Sequence, residues 1–355
     1  VKHIAVVPGD GIGVDVTREA VKVLNRAQEV YGFKLEMTHF DWSADKYLEE
    51  GVTMPDGALD MFRKEYDAIY VGAFGDPRVP DMKHADDILL GMRFGLDLYI
   101  NLRPIRLLDA SLTPLKGRGT EDIDFVIFRE NTEGMYVKIG GIFKKGTHEE
   151  IAIQEDMNTR AGVERIIVAA FEYAKENGRA RVTMADKSNI LRYGHDLWQR
   201  TFSEVSERYP DIEANTQFVD ALTMWMVLKP DQYEVIVTNN MFGDIITDLG
   251  AALQGGLGMA ASGNIHPGKV SLFEPVHGSA PKYAGKNVTN PIGAILSAGL
   301  MLDYIGYPDA AKGIEKAVKK TILSKEVTRD LGGNLSTTAA GDAVCSAMRS
   351  GGLGD

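Results

Sequence analysis

Cysteine is nearly absent: Cys345 is the single thiol in 355 residues, which excludes an intrachain disulfide and a Cys-rich zinc site. Cysteine poverty fits a reducing compartment, and a cytoplasmic location is the expectation. An excess of positive charge is also lacking. With 39 basic against 50 acidic residues the formal net charge is −11, which disfavours a nucleic-acid or anionic-membrane surface while leaving room for a local basic pocket. No window approaches the run of about 18 apolar residues that a membrane span needs. The apolar stretch at Val1–Pro8 is too short for a signal peptide and turns at once into Gly-Asp-Gly. Low-complexity tracts and repeats are missing too. What is present, 44% hydrophobic and 25% charged residues, is ordinary for a globular enzyme of one large unit or two domains.

Short apolar runs alternate with segments of helical period. Ile4–Val7 reads as a buried strand and Val14–Val30 as the amphipathic helix after it. Ala68–Val71, Phe125–Phe128, Val182–Ala185 and Val235–Thr238 read as further strands, with helices at Ala161–Glu176 and His195–Tyr209. This alternation predicts an α/β architecture with buried, substantially parallel strands. Lys138–Ile153 is Gly- and Lys-rich with short β-prone pieces, and suits a protruding hairpin or a solvated loop equally well. Gly255–Gly258 and Gly332–Gly333 mark turns.

Several motifs carry chemistry. Pro8-Gly9-Asp10-Gly11-Ile12-Gly13 lies between a predicted strand and helix, where glycines allow either a tight turn or close approach of backbone N–H groups to a ligand. Its spacing is neither GxGxxG nor a Walker loop. Arg93, Arg103 and Arg129 stand in apolar company or at a strand end; such arginines form structural ion pairs or capture carboxylates bidentately. In Asn240-Met241-Phe242-Gly243-Asp244-Ile245-Ile246-Thr247-Asp248 a helix is predicted from about Gly243, placing Asp244 and Asp248 on one face. Two readings fit: a hard-cation site, or an acidic first turn that complements the helix dipole. The apolar frame of Met-Phe-Gly and Ile-Ile weighs against a merely solvated face. Tyr136, Lys187 and Asp220 each follow or interrupt a strand-like run, and Phe273-Glu274-Pro275-Val276-His277-Gly278-Ser279-Ala280-Pro281 looks like a strand ending in a ligand-facing loop.

Together and in this order, PGDGIG, NLRP, FRENTEG, DKSN, the Gly-Asp-x-x-x-Asp segment and EPVHGSAP resemble the β-decarboxylating dehydrogenases, which include 3-isopropylmalate, isocitrate, homoisocitrate and D-malate/tartrate dehydrogenases. The likeness runs from Gly9 nearly to the C-terminus. It implies a two-domain α/β fold of the isopropylmalate/isocitrate dehydrogenase kind, not the dinucleotide Rossmann fold. The first, cofactor-side domain would comprise 1–98 plus 255–355, and the second 99–254, with a dimer-interface arm near 138–153. It further implies that Arg93, Arg103 and Arg129 clamp the carboxylates of a malate moiety, and that Asp244 and Asp248 bind Mg²⁺ or Mn²⁺ with Asp220 of the partner subunit. Tyr136 and Lys187 of the partner subunit would be the acid/base pair, so an obligate homodimer is expected, with Asp220 also near the substrate. Lys187 would take the substrate hydroxyl proton, its pKa pressed down by the nearby cation, and Tyr136 would protonate the enolate left by loss of CO2. Ile12, Gly13, Asn189, His277, Gly278, Ser279, Ala280, Lys282, Tyr283 and Asn290 would bind NAD(P).

The residue after the hydroxy-acid core follows from finer comparison. Isocitrate members carry a Ser and an Asn where this chain has Asp87 and Leu89; leucine cannot donate to the extra carboxylate and aspartate repels it. Leu89 and Leu90 instead resemble the apolar wall of isopropylmalate enzymes, with Asp86 where those have Glu. D-malate/tartrate enzymes share the Leu-Leu pair and a similar FRENTEG. The expected order is 3-isopropylmalate, then D-malate or a related acid, then homoisocitrate. An idle regulatory subunit is disfavoured because Tyr136, Lys187, Asp220, Asp244 and Asp248 are all present. For the nucleotide, Lys282-Tyr283 resembles NADP-using members, whereas Val327–Gly333 resembles NAD-using ones, with Arg329 able to reach a phosphate.

Overall fold

The computed structural model describes residues 1–348. Among them are twelve strands: β1 (Lys2–Gly9), β2 (Leu35–His39), β3 (Ala68–Ala73), β4 (Ile100–Arg106), β5 (Asp124–Glu130), β6 (Gly140–Phe143), β7 (Ile151–Gln154), β8 (Arg181–Asp186), β9 (Glu213–Phe218), β10 (Val235–Thr238), β11 (Ala261–Ile265) and β12 (Ser271–Pro275). The chain forms two compact units. One comprises 1–98, 106–120 and 251–348; the other comprises 99–105 and 121–250. The first unit is therefore interrupted by the second, and 106–120 returns to it briefly.

In the first unit the strands lie in the order β2-β1-β3-β12-β11. β1 runs parallel to β2 and β3, and β3 parallel to β12, while β11 is antiparallel to β12. The central strands are apolar because helices cover both faces: all of β3 is buried, as are Ile4–Val7 of β1. Helix Ile12–Tyr31 follows β1 directly and ends at Gly32, whose φ of 71° is the left-handed conformation that glycine adopts freely. A cluster on one side of this sheet joins Val7, Phe62, Ile69 and Val71 to Ile88 and Met92. Ile88 belongs to a π-helical stretch, Asp86–Leu90, that continues into helix Gly91–Gly95. Burial of Ile88 and Met92 fixes the rotation of this stretch, and hence where Leu89 and Leu90 stand.

In the second unit the order is β4-β5-β10-β8-β9, with β5, β10, β8 and β9 mutually parallel. β10 is wholly buried, whereas β9 (EANTQF) has no fully buried residue. Polar composition hides such an edge strand from a hydrophobic-run reading, and β2 (LEMTH) escaped it for the same reason. β6 and β7 form a separate antiparallel hairpin, Gly140 opposite Gln154 and Phe143 opposite Ile151. All eight of its strand residues are exposed, including Ile142, Phe143, Ile151 and Ile153. Among the described residues no helix is long and apolar enough to cross a membrane.

The turn joining β1 to helix Ile12–Tyr31 is packed against β3 without room for a side chain. A Cβ on Gly72 would lie 2.2 Å from the Pro8 carbonyl oxygen and 2.7 Å from that of Gly13. Gly72→Ala should therefore destabilise the protein by about 1–3 kcal/mol, the usual cost of overpacking. Thermal unfolding checks this: an unchanged melting temperature would show that the turn yields freely.

Candidate active site

The centre of the second unit is a buried guanidinium. Arg129, at the end of β5, is only 2% exposed. Its Nε donates to Asn240 Oδ1 at 3.0 Å and its Nη1 to Asp244 Oδ1 at 2.5 Å. The guanidinium carbon lies 4.9 Å from the centre of the Tyr136 ring, whose hydroxyl donates to Asp244 Oδ2 at 2.8 Å. Arg103, on β4, donates from Nη1 to Thr247 Oγ1 at 2.5 Å and brings Nη2 within 3.6 Å of Asp244 Oδ1. Two predicted carboxylate clamps and the predicted acid thus meet at Asp244, one predicted metal ligand.

The helix carrying the two aspartates is Asn240–Leu253, so it begins three residues before the predicted start at Gly243. Its start is set by Asn239, whose Oδ1 accepts from the Phe242 N–H at 2.9 Å in an N-cap bond that hydrophobic patterning does not reveal. Asp244 and Asp248 consequently lie beyond the first turn, and the helix-dipole explanation of the pair loses its footing. Asp244 is half-exposed and Asp248 exposed, one turn apart. Among the described residues no three His, Cys, Asp or Glu side chains form a group able to hold a metal. Asp220 therefore does not join Asp244 and Asp248 within one chain.

Behind this cluster the Glu130-Asn131-Thr132-Glu133 turn is held by its own carboxylates. Glu130 accepts from the N–H of Thr132 at 2.8 Å and of Glu133 at 2.7 Å, and burial holds its carboxyl above the usual carboxylate range. Asn240 Nδ2 donates to the Glu133 carbonyl at 3.1 Å, tying the turn to the aspartate helix.

Asp220 instead meets Lys187. Lys187 follows β8, and its Nζ donates to Asp220 Oδ1 at 2.6 Å. The hydrogen bond from Lys187 holds the Asp220 carboxyl below the usual range. The Lys187 backbone N–H donates to His195 Nδ1 at 2.9 Å, and burial pushes the His195 pKa down, keeping that nitrogen an acceptor. Apolar side chains are exposed on the same elements, among them Phe218, Met224, Trp225, Leu228 and Tyr193.

In the first unit Leu89 packs partly against the core and Leu90 is half-buried. Arg93 stands on the helix that continues from them. Asp87 is turned toward Lys83 Nζ at 2.7 Å and Thr53 Oγ1 at 3.2 Å, so its charge is already matched.

The same unit holds a cavity of about 980 Å³ lined by Ile12, His277, Ala280, Tyr283 and Asn290, all predicted from sequence. Arg329, Asn334 and Ser336 also line it; the last two lie in no motif and were missed. His277 Nδ1 approaches the Gly278 carbonyl at 3.0 Å, which fixes the proton there and leaves Nε2 a buried acceptor without a partner; burial lowers the His277 pKa. Thr289 Oγ1, on the cavity wall, is likewise buried and unpartnered. Of the glycine loop only Ile12 reaches the wall; the predicted Gly13 packs on Ala73 and Pro8 instead. A Cβ on Gly11 would sit 2.2 Å from the Ser279 carbonyl, and that carbonyl accepts from the Ile12 N–H at 2.8 Å. Gly278 is exposed beside Ser279, and Lys282 Nζ lies 4.8 Å from the Tyr283 ring centre. Asn189 is exposed in the turn after β8, on the other unit, and is not part of this wall.

Gly243 is what lets Arg129 lie flat: a Cβ there would fall 2.4 Å from Arg129 Cγ and 2.6 Å from its Cβ. Gly243→Ala should move the guanidinium and lower kcat/KM for the acid by about 10²-fold, a loss typical of a misplacement of about 1 Å. Steady-state kinetics with the melting temperature measured in parallel checks this; full activity would mean that Arg129 is not held by that contact.

The chain is similar to known proteins over nearly its whole length. Residues 3–344 match the family model described as isocitrate/isopropylmalate dehydrogenase. The chain is 46% identical over 343 residues to a 3-isopropylmalate dehydrogenase of Thermobifida fusca, covering 96% of each chain. It is 45% identical over 349 residues to one of Corynebacterium urealyticum, covering 98% of this chain and 99% of the other. A crystal structure of isocitrate dehydrogenase from Methylococcus capsulatus superposes with a TM-score of 0.89 at 35% identity, covering 98% of this chain and all of that one. The expected α/β fold is the observed one, and the chain belongs to the isocitrate/isopropylmalate dehydrogenase family.

Proposed function

We propose that the chain is a decarboxylating dehydrogenase that converts 3-isopropylmalate to the corresponding 2-keto acid and CO2, using NAD(P) and a divalent cation. The observation that carries the chemistry is the contact set of Arg129, Arg103 and Tyr136 around Asp244. Near-full-length likeness to 3-isopropylmalate dehydrogenases and the apolar pair Leu89-Leu90 favour that acid over isocitrate. D-malate or a related acid is the second reading, since nothing in the Leu-Leu pair excludes a smaller group; homoisocitrate is third.

Arg93, Arg103 and Arg129 would hold the two carboxylates. Asp244 and Asp248, with Asp220 of the partner subunit, offer the all-oxygen donor set that Mg²⁺ or Mn²⁺ favours. Such an ion would acidify the substrate hydroxyl and stabilise negative charge on the carbonyl oxygen. Lys187 of the partner subunit would accept the hydroxyl proton, and a bound NAD(P) would supply the acceptor for the hydride from C2. Loss of the β-carboxylate as CO2 leaves an enolate, which Tyr136 protonates at C3.

This division of labour makes an isologous homodimer part of the proposal. Lys187 and Asp220 travel together on one surface, flanked by exposed apolar side chains, and the apolar β6–β7 hairpin offers a second contact. For the nucleotide, the orphan acceptors His277 Nε2 and Thr289 Oγ1 suit a base and ribose bearing N–H and O–H donors. Arg329 on the cavity wall, with Lys282 beside Tyr283, suits a 2′-phosphate and hence NADP as well as NAD.

The deciding experiment is the specificity constant for 3-isopropylmalate, D-malate, homoisocitrate and isocitrate with Mn²⁺. The expected order is as written; superior isocitrate turnover would sink the Leu89 argument. In the same assay Tyr136→Phe and Lys187→Ala homodimers should each lose at least about 10²-fold in kcat, a typical acid/base contribution. After the two are mixed and re-formed, about a quarter of wild-type activity should return, because half of the molecules become heterodimers and each has one intact site. No recovery would count against shared sites. For the nucleotide, Lys282→Asp should lower kcat/KM with NADP by about tenfold or more relative to NAD, the loss of one charge-assisted contact; an unchanged ratio removes Lys282 from the phosphate.

A further inference from the structure

Asp10 has a duty that a nucleotide loop alone does not explain. Its carboxylate is 5% exposed and gathers three donors from separate segments. Oδ1 accepts from the Ala44 N–H at 2.6 Å, at the start of helix Ala44–Glu50. Oδ2 accepts from the Gly75 N–H at 2.8 Å, just past β3, and lies 2.7 Å from His84 Nε2. His84 is completely buried, stacked at 6.2 Å on Tyr47 and set edge-on to Phe74. Among the described residues its Nδ1 has no partner and the carboxylate is the ring's one polar anchor, which fixes the proton on Nε2.

The two ends of this pair lead to the two substrate sites. On one side, the Asp10 N–H donates to the Ala73 carbonyl at 2.7 Å and its own carbonyl accepts from Gly13 at 2.9 Å, so Asp10 holds the loop whose Ile12 lines the nucleotide cavity. On the other, His84 sits in the short helix Lys83–Ala85 that runs directly into the π-helical Asp86–Leu90, with Leu89 and Leu90 at its end. We propose that His84 is a positioning residue that, through Asp10, locks the acid-specificity segment to the nucleotide loop, so that one buried contact sets the geometry of both. The acid half rests on the proposed role of Leu89 and Leu90; the nucleotide half does not.

A buried carboxylate robbed of a donor must find another or let water in, and either moves the backbone around it. The variants His84→Gln, His84→Asn and His84→Leu separate positioning from packing. The Gln amide can reach Asp10 Oδ2 as Nε2 does, Asn falls short, and Leu fills space without donating. Binding of NADH and NADPH by fluorescence titration, the KM for 3-isopropylmalate, kcat and the melting temperature are measured for each full-length variant. The expected result is that Asn and Leu weaken nucleotide binding and raise the acid KM by about tenfold each, with kcat changed much less, while Gln stays within about threefold of wild type in both. Loss of melting temperature with both constants unchanged would reduce the pair to a structural contact and overturn the proposal. So would a Leu variant no worse than Gln. If nucleotide binding falls but the acid KM does not, the link to Leu89 and Leu90 fails. If the unmodified enzyme does not turn over 3-isopropylmalate, the functional reading itself has failed, and the nucleotide titration still tests the loop. Should Asn and Leu fail to fold, a folded Gln variant with either constant weakened more than tenfold overturns the proposal, and retention of both supports it.

Discussion

Burying the Arg129 guanidinium is the constraint from which the rest of the candidate site follows. A cation removed from water is tolerable only with a matched charge and filled hydrogen bonds. Here Asp244 balances the charge, Asn240 takes the Nε–H, and the Tyr136 ring covers the face. Each of these comes from a different stretch of chain, so the end of β5, the start of helix Asn240–Leu253 and the turn at Met135–Val137 have to agree in position. The same carboxylate is offered to a cation in the proposed mechanism. In that proposal a substrate carboxylate arriving at Arg129 would replace the charge that Asp244 gives up, so binding would exchange partners without stranding either ion.

The legibility of these features in the sequence varied with their range. Ile4–Val7, Val235–Thr238 and Phe125–Phe128 announced buried strands because both faces of each are covered. β2 and β9 did not, since a polar edge strand has no apolar run to detect. The Asp244/Asp248 spacing was visible, but its meaning turned on where the helix starts. That depended on a single side-chain cap from Asn239, a local bond that binary patterning ignores. Whether Arg103 and Arg129 converge was beyond any one-dimensional reading, because convergence is a property of sheet order.

Two pieces of the site were carried by resemblance more than by pattern. Lys187 and Asp220 look like unrelated polar residues in the sequence; the structure brings them within one hydrogen bond of each other. The cavity wall at Asn334 and Ser336 carries no motif, since its contribution is shape and a few polar atoms. His84 also escaped notice. A lone histidine beside Ala and Asp has no signature, and its partner Asp10 lies in a loop whose glycines drew the attention.

The interruption of the first unit by the second has a consequence for how the protein is made. β3 pairs with β12 in register from Ala68 to Ser271, so the inner edge of the first sheet stays open until just over three-quarters of the polypeptide exists. The second unit, closed within 99–250, can complete its own sheet on the ribosome before that strand emerges. A nascent chain therefore carries in β3 a long-lived unpaired edge on a strand whose side chains the finished fold buries, the kind of surface that seeks another chain. Biogenesis, more than the finished fold, is where this architecture is most exposed to aggregation, and chaperone demand should scale with the time spent translating the inserted unit.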